Sequence, residues 1–375
     1  MRFDLTDEQE QVRQTARRFL ENEAPLTEIR KLFETPAGFS RDLWRRASQL
    51  GWTAMGASER AGGFSASGNP GQDMAIIAEE LGRLIGAGPF LPSVLCIEAL
   101  SQGDDSERRD DLIAQILAGD AIAAWAFGEA NSAWTPESFK TRVRETSGEV
   151  VLDGAKAYVE SGAEADVLVV TARSDQGLVQ VLVPADVAGL TVISGRSVDF
   201  VRRFAEVRFD AVRLPRSDVI TRGPAAEAQV ERQYQLALLL QCAETNGAVE
   251  RAFEFTVDYM QQRYAFGRAI ASFQALKHRL ADMLVRNQSC MATTDAGLEA
   301  FDARSPDAGR LARVAKCYVA AKSTAIVSDL VQMSGGIGVT WDHDLHLYER
   351  RIAVNRAVLA TPEALRLEVH RLISA

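Results

Sequence analysis

Cysteine is scarce and scattered in this sequence. The four residues, Cys96, Cys242, Cys290 and Cys317, stand far apart in apolar, helix-like surroundings, with no CxxC or Cys/His spacing. That argues against a zinc site and a disulfide framework, and predicts buried free thiols in a reducing compartment. Long apolar runs are missing too. No stretch approaches a membrane span, and the first residues, MRFDLTDEQE, hold no apolar signal core, so a cytoplasmic location is expected. Positive charge is in deficit: 42 Lys+Arg against 51 Asp+Glu leave a net charge of -9. A nucleic-acid partner would need a cationic surface, so that class is disfavoured. The local basic cluster at 41–46 is interrupted by Leu43 and Trp44, as an exposed helix face would be. Internal repeats and low-complexity linkers are absent as well.

What is present is a chain of 375 residues, 47% hydrophobic and 25% charged, enough for two or three domains. Residues 1–118 read as a helical domain. Thr6 with Gln9 has the form of a capping box, with Phe3 or Leu5 as the staple, and the first helix runs to about Glu23, before Pro25. Further helices are predicted at 42–50, 74–85, 91–102 and 108–117, with a Gly/Ser-rich loop at 58–70. Residues 119–222 change character. Short, often β-branched runs at 121–127, 150–152, 157–159, 167–172, 179–183, 190–194 and 205–212 predict strands, with Asp153-Gly154 as a hairpin turn. Without interleaved helices a Rossmann sheet is disfavoured, and an antiparallel β-barrel or sandwich is expected. Residues 223–375 return to long helical periods at 225–263, 272–299, 308–333 and 344–374, the last broken at Pro362, which predicts a four-helix bundle. The fold class is thus α+β and multidomain, in the order helical domain, β-domain, helical bundle.

Residues 263–283 read RYAFGRAIASFQALKHRLADM. Ile270, Phe273, Leu276, Leu280 and Met283 recur at gaps of three and four, one apolar stripe of a helix after the Phe266-Gly267 break. Periodicity supports only a helix, a turn and a second helix. The residue order, R-x-x-F-G-x-x-I-x-x-F-Q followed by L-A-D-M, resembles the C-terminal domain of the acyl-CoA dehydrogenases. The α–β–α order of segments extends the resemblance over essentially the whole chain.

That resemblance implies an FAD cofactor held in extended form. Arg263 matches the family arginine that neutralises the pyrophosphate, usually from the neighbouring subunit, and Phe266 and Gln274 match contacts to the same dinucleotide. A planar guanidinium suits this task because it makes paired, charge-assisted hydrogen bonds; the alternative is a helix-terminal arginine paired locally. In QMSGGIGVTWDHDLHLYERR, Gln332, Gly335 and Gly336 resemble contacts to the adenosine end. Glycines let a backbone approach a ligand closely, although GGIG alone reads as a helix C-terminal turn. Asp342, His343, Asp344 and His346 match no standard metal spacing, so no metal is expected.

Around the flavin ring the resemblance is thinner. The family's Thr-Glu-Pro-Gly turn reads Phe127-Gly128-Glu129-Ala130-Asn131 here, keeping Glu129, with Phe127 and Gly128 offering backbone N–H groups. The Trp-Ile-Thr turn reads Tyr158-Val159-Glu160. An aromatic ring is kept, but the hydroxyl that would donate to the flavin has become a carboxylate. An ionised Glu160 beside the ring would disfavour an anionic reduced flavin unless protonated or turned away.

The family reaction removes a proton α to a thioester carbonyl while hydride leaves the β carbon, a task for a carboxylate of raised pKa. The usual Tyr-Glu-Gly-Thr stretch aligns with Val358-Leu359-Ala360-Thr361, so the base position is Leu359, while Thr361 and Arg366 keep the surrounding pattern and place Thr361 near the cofactor. The alternative position on the first bundle helix is Ala237, followed by Leu238. Glu244, two turns further along the same face, is the candidate base, with a glutamate bonded to a neighbouring helix as the alternative. Glu349 beside Arg350 and Arg351 reads as a structural ion pair.

The resemblance implies FAD-dependent α,β-dehydrogenation of an acyl-CoA to the trans-2-enoyl-CoA. Electrons would pass to an electron-transferring flavoprotein, and the enzyme would be a homotetramer or a heterotetramer with a related chain. The Ala-Glu244 pattern resembles bacterial members acting on steroid side chains. The runner-up is a half-site subunit that supplies FAD-arm contacts to a partner. A third possibility is a flavin monooxygenase or nitroalkane oxidase on the same fold, which would consume oxygen without a thioester.

Overall fold

Thr6 and Gln9 satisfy each other at the start of the first helix: the Thr6 hydroxyl accepts the Gln9 N–H, and the Gln9 side chain accepts the Thr6 N–H, both at 3.2 Å. The capping box therefore forms as its sequence predicts. The computed structural model describes residues 5–102, 106–130, 134–146 and 148–374. Phe3, one of the two staple candidates, lies outside them, as does Asn131.

By internal contacts the chain divides into two compact units. One comprises Met1–Arg30, Gly71–Gly86 and Leu238–Ala375; the other comprises Lys31–Pro70 and Ala87–Ala237. The helices are α1 (Asp7–Glu23), α2 (Leu26–Lys31), α3 (Arg41–Gln49), α4 (Pro70–Arg83), α5 (Phe90–Gln102), α6 (Glu107–Ala118), α7 (Pro224–Gln262), α8 (Gln274–Asp302), α9 (Ala308–Ser334), α10 (Leu345–Ala357) and α11 (Pro362–Ser374). The short α2 carries too few residues for a periodic signal, and the sequence reading did not anticipate it. The strands are β1 (Ala123–Ala126), β2 (Arg142–Glu145), β3 (Glu149–Glu160), β4 (Val167–Ser174), β5 (Gly177–Pro184), β6 (Leu190–Arg196), β7 (Arg203–Pro215), β8 (Val219–Arg222), and the two-residue β9 (Tyr264–Ala265) and β10 (Arg268–Ala269).

In the second unit eight strands form one sheet, ordered β6-β7-β3-β2-β4-β5-β8, with β1 added on β4. The β-domain is present, but the barrel is not. Among the described residues β6 and β8 stand at the two ends of the path, and the pairings of β4 with β1 and β2 are parallel, so the sheet is open and mixed. The hairpin predicted at Asp153-Gly154 is also corrected. Those residues lie inside the continuous β3, where the register with β7 shifts between Leu152 and Gly154. Gly154, at φ 132, gives a bulge rather than a reversal, and the Asp153 carboxylate accepts the Ala211 N–H at 2.9 Å. Central β4 is buried over Val167–Ala172, as a β-branched run requires, whereas the terminal strand β6 is largely exposed and carries Thr191, Ser194 and Arg196.

In the first unit α9 packs against α8, α10 and α11. The predicted fourth helix is two, α10 and α11, because Pro362 starts a new helix rather than continuing the old one. Helices α4 and α7 touch backbone to backbone. A Cβ on Gly82 would lie 1.9 Å from the Glu244 carbonyl oxygen, and one on Gly247 would lie 2.0 Å from that of Glu79. All four cysteines are free thiols, three buried and Cys317 half-buried. No helix among the described residues is long and apolar enough to cross a membrane.

Candidate active site

The first unit carries the predicted dinucleotide-arm residues, and they share exposure. After α7, residues 263–273 form a miniature hairpin in which β9 pairs with β10 and Phe266-Gly267 is the turn. Phe266 (φ 53) and Gly267 (φ 79) are both left-handed, the type I′ conformation of two-residue hairpins. A phenylalanine in this region is uncommon, and this one projects with 95% of its surface exposed. Its ring stands edge-on to Phe273, over which the Arg268 guanidinium lies at 3.9 Å. The Ile270 N–H donates to the Arg263 carbonyl at 2.8 Å and fixes the start of this segment, while the Arg263 side chain is exposed. Gln274 opens α8 and Gln332 lies in the last turn of α9, both exposed. Gly335 and Gly336 follow, and a Cβ built on either would meet nothing within 4 Å.

Thr361 precedes α11, and its hydroxyl accepts the Ala364 N–H at 3.4 Å, the position of an N-cap. Asp344, His343 and His346, after the glycines, have protein partners. Asp344 accepts from Arg30 at 2.7 Å, His343 Nδ1 accepts the Leu345 N–H at 3.2 Å, and His346 stacks on Trp341 at 4.9 Å.

Glu244, the candidate base on α7, is engaged at both oxygens: Arg351 donates to Oε1 at 2.7 Å and Asn355 to Oε2 at 2.8 Å. Arg351 also donates to the Gly86 carbonyl, and its side chain is fully buried. Glu349 is exposed, and Arg351, one of the two arginines that follow it, pairs with Glu244. Beside this pair lies a buried lysine: Lys316 on α9 donates to Gln241 at 2.5 Å and to the Asn355 carbonyl in the last turn of α10, where a cation is favoured by the helix dipole. Leu359, at the usual base position, is buried with a left-handed φ of 71. A cavity of about 310 Å³ in this unit is lined by Arg17, Arg83 and Tyr348 among others. Its arginines are committed to Glu80 and to Glu250 and Glu254.

The second unit carries the predicted ring-side residues. Glu129 is buried, and it clamps the turn after β1. Its carboxylate accepts from Lys156 Nζ at 2.8 Å and from the backbone N–H groups of Lys140 at 2.7 Å and Thr141 at 3.0 Å. Lys156 Nζ also donates to the Phe127 carbonyl at 3.0 Å and lies 3.7 Å from the Phe139 ring centroid. Burial pushes the Lys156 ammonium down to about 8, against the pull of Glu129. Burial alone would raise the Glu129 pKa; the Lys156 charge and the hydrogen bonds outweigh it and hold the carboxyl below its usual value.

Glu160 is likewise answered: Arg202, itself buried, donates to Oε1 at 3.0 Å and also to Oε2. A paired fork of this kind engages both carboxylate oxygens and sets a guanidinium charge against the carboxylate. Phe127 is buried in an aromatic cluster, stacked on Trp125 at 4.3 Å and edge-on to Phe139 at 5.1 Å. Tyr158, at φ 57, is 54% exposed on one side and faces Trp134 at 5.6 Å on the other.

Sequence reasoning missed Lys156, Arg202, the pairing of Arg351 with Glu244, and Trp134. The first three carry no local signal, because each is recognised only through a carboxylate brought from elsewhere in the chain. For Trp134 the one available cue was a tryptophan shortly after a turn that the resemblance already placed at a ring site.

Two family models match the chain: "Acyl-CoA dehydrogenase, N-terminal domain" over residues 6–120 and "Acyl-CoA dehydrogenase, C-terminal domain" over residues 229–373. Among curated proteins, "Acyl-CoA dehydrogenase IpdE2" of Mycobacterium tuberculosis is 30% identical, over 95% of this chain and 94% of that one. Among solved structures, butyryl-CoA dehydrogenase from Megasphaera elsdenii superposes with a TM-score of 0.92 over 100% of both chains at 19% identity. The ChsE4-ChsE5 complex from Mycobacterium tuberculosis superposes with a TM-score of 0.89 at 23% identity, over 100% of this chain and 99% of that one. These two structural likenesses show the fold.

FAD is the cofactor of that family, and the two groups of residues answer it differently. In the first unit Gly335 and Gly336 have open space above them and Arg263, Gln274 and Gln332 are exposed, a set of groups that suits an anionic ligand able to accept and donate hydrogen bonds. In the second unit the space above Gly128 does not fit a flavin ring. A Cβ there would lie 2.3 Å from the Trp134 ring, which already covers it.

Proposed function

The chain belongs to the acyl-CoA dehydrogenase family, and from that premise we propose that it serves FAD-dependent α,β-dehydrogenation of an acyl-CoA thioester to the trans-2-enoyl-CoA as the arm-contributing subunit of a heteromeric enzyme. FAD, when bound, supplies the redox step. In this reading Arg263 neutralises the pyrophosphate, Phe266, Gln274 and Gln332 hold the dinucleotide, and Gly335 and Gly336 admit it closely. A related partner chain supplies the base and the ring-side contacts. An electron-transferring flavoprotein takes the electrons, the acyl chain is bulky, branched or steroid-derived, and the assembly is a cytoplasmic tetramer.

The observation that carries the reading is the state of Glu244. Both carboxylate oxygens are already occupied, one by a buried guanidinium and the other by an amide, so neither is presented to a substrate proton. Ala237 and Leu359, the other base positions, are apolar and buried. A fold neighbour described as the ChsE4-ChsE5 complex lends the heteromeric arrangement further support.

Purification of the chain alone and with a co-expressed related chain tests this. The expected result is a colourless lone chain and a yellow complex whose flavin bleaches on adding an acyl-CoA. A lone chain that is yellow and bleaches with acyl-CoA favours the other reading, a self-sufficient dehydrogenase with Glu244 as base.

A further inference from the structure

The turn that follows β1 is shut by the protein's own tryptophan. Glu129 holds the backbone N–H groups of Lys140 and Thr141 and so ties the segment from Trp134 to Thr141 back onto the turn at 127–129. Arg173 donates to the Pro136 carbonyl at 3.3 Å and secures the same segment from β4. Under these ties the Trp134 indole covers Gly128. An added Cβ would meet three of its ring atoms at 2.3, 2.8 and 2.9 Å. Tyr158 forms the facing wall with ring centroids 5.6 Å apart, and Phe127 lies beneath at 6.5 Å and 24°. Glycine at 128 is what admits the indole, since any side chain would collide with it.

We propose that Trp134 occupies, in this chain, the seat between Gly128 and Tyr158 that a flavin ring would take, so that the second unit excludes the ring while the first unit retains its arm residues. The proposal rests on the half-site reading above and names the residue that closes the ring side. A planar aromatic of indole size set between the backbone at Gly128 and the Tyr158 ring, which is tilted 42° to it, takes up contacts that a planar heteroaromatic ligand would otherwise receive. Trp134 therefore replaces the ring rather than obstructing it at a distance. The glutamate clamp keeps it in place without ligand.

The test uses the full chain and lumiflavin, a flavin ring without an adenosine arm, with binding followed by quenching of lumiflavin fluorescence. The wild-type chain is expected to give no saturable binding. Trp134→Gly, which empties the seat, is expected to gain about tenfold or more in affinity, the scale of one aromatic ring stacked in a matching site. Trp134→Phe keeps a ring there and is expected to behave as the wild type. A folded Trp134→Gly chain, by circular dichroism, that binds lumiflavin no better than the wild type overturns the proposal. If that variant does not fold, Trp134→Val carries the same comparison. Independently, saturable binding to the wild type with the ring protected from iodide quenching overturns it whatever the variants do. The half-site reading fails on a separate result, acyl-CoA turnover by the lone chain, so the two failures are distinguishable.

Discussion

Glu244 and Arg351 face each other at 2.7 Å, and the arginine side chain has no exposed surface. A buried guanidinium that loses this carboxylate keeps its charge and loses that compensation. Glu244→Gln is therefore expected to lower stability by about 3 kcal/mol, the usual scale for breaking such a pair from one side. Urea denaturation measures it. Adding Arg351→Met should restore part of the loss, because removing both charges leaves no orphan. An unchanged denaturation midpoint together with lost acyl-CoA turnover would instead make Glu244 the base.

Glu129 gives the fold a dependence on acid. Its carboxyl is held below the usual value: burial works upward, but the Lys156 charge and three hydrogen bonds work downward and win. A carboxyl depressed in the folded state contributes stability that is complete above its unfolded pKa, near 4.5, and is lost as pH falls through the folded pKa. Glu129→Gln should remove this acid-side loss and cost about 3 kcal/mol at neutral pH by leaving Lys156 buried without its partner. Thermal midpoints of both proteins across the acid range check the sign. Parallel curves would show that the clamp does not titrate as described.

These two pairs also show what a sequence exposes. The capping box of Thr6 and Gln9 is legible because donor and acceptor are three residues apart, and the long helices because their apolar positions repeat within a turn. Glu129 and Lys156 are 27 residues apart, Glu244 and Arg351 107. Nothing local announces either pairing, so Glu129 was legible only through the turn it shares with the family and Glu244 only as an acid in an apolar run. Asp153-Gly154 failed for a related reason. The dipeptide suits a turn or a bulge equally, and pairing of β3 with β7, set far along the chain, decides for the bulge. The residues proposed for the dinucleotide arm were singled out through order rather than physics, since exposed side chains such as Arg263 and Gln332 follow no periodic rule.

Arg202 and Glu160 predict a second coupling. Both are largely buried, and the fork engages both carboxylate oxygens. Arg202→Met should destabilise by about 3 kcal/mol, and Glu160→Thr, which restores the family's hydroxyl, should do so comparably by stranding the arginine. A double-mutant cycle with thermal unfolding reads the pair energy. Additive effects would mean the two side chains act independently, whereas a coupling of about 1 kcal/mol or more marks a working pair.

Gly82 and Gly247 set a limit on how α4 and α7 tolerate change. Alanine normally improves a helix over glycine by about 1 kcal/mol. At Gly82 its Cβ would lie 1.9 Å from the Glu244 carbonyl oxygen, an atom of the α7 backbone that cannot rotate away. The helices would have to separate, and overpacking of this kind costs about 3 kcal/mol, which outweighs the propensity gain. Gly82→Ala is thus expected to be clearly destabilising, and by displacing α7 at Glu244 it should also weaken the Arg351 pair. Gly336→Ala is the control: open space surrounds it, so its stability should stay within a few tenths of a kcal/mol of the wild type. Urea midpoints of the two variants check the contrast, and equal midpoints would mean that α4 and α7 have room the backbone contact denies.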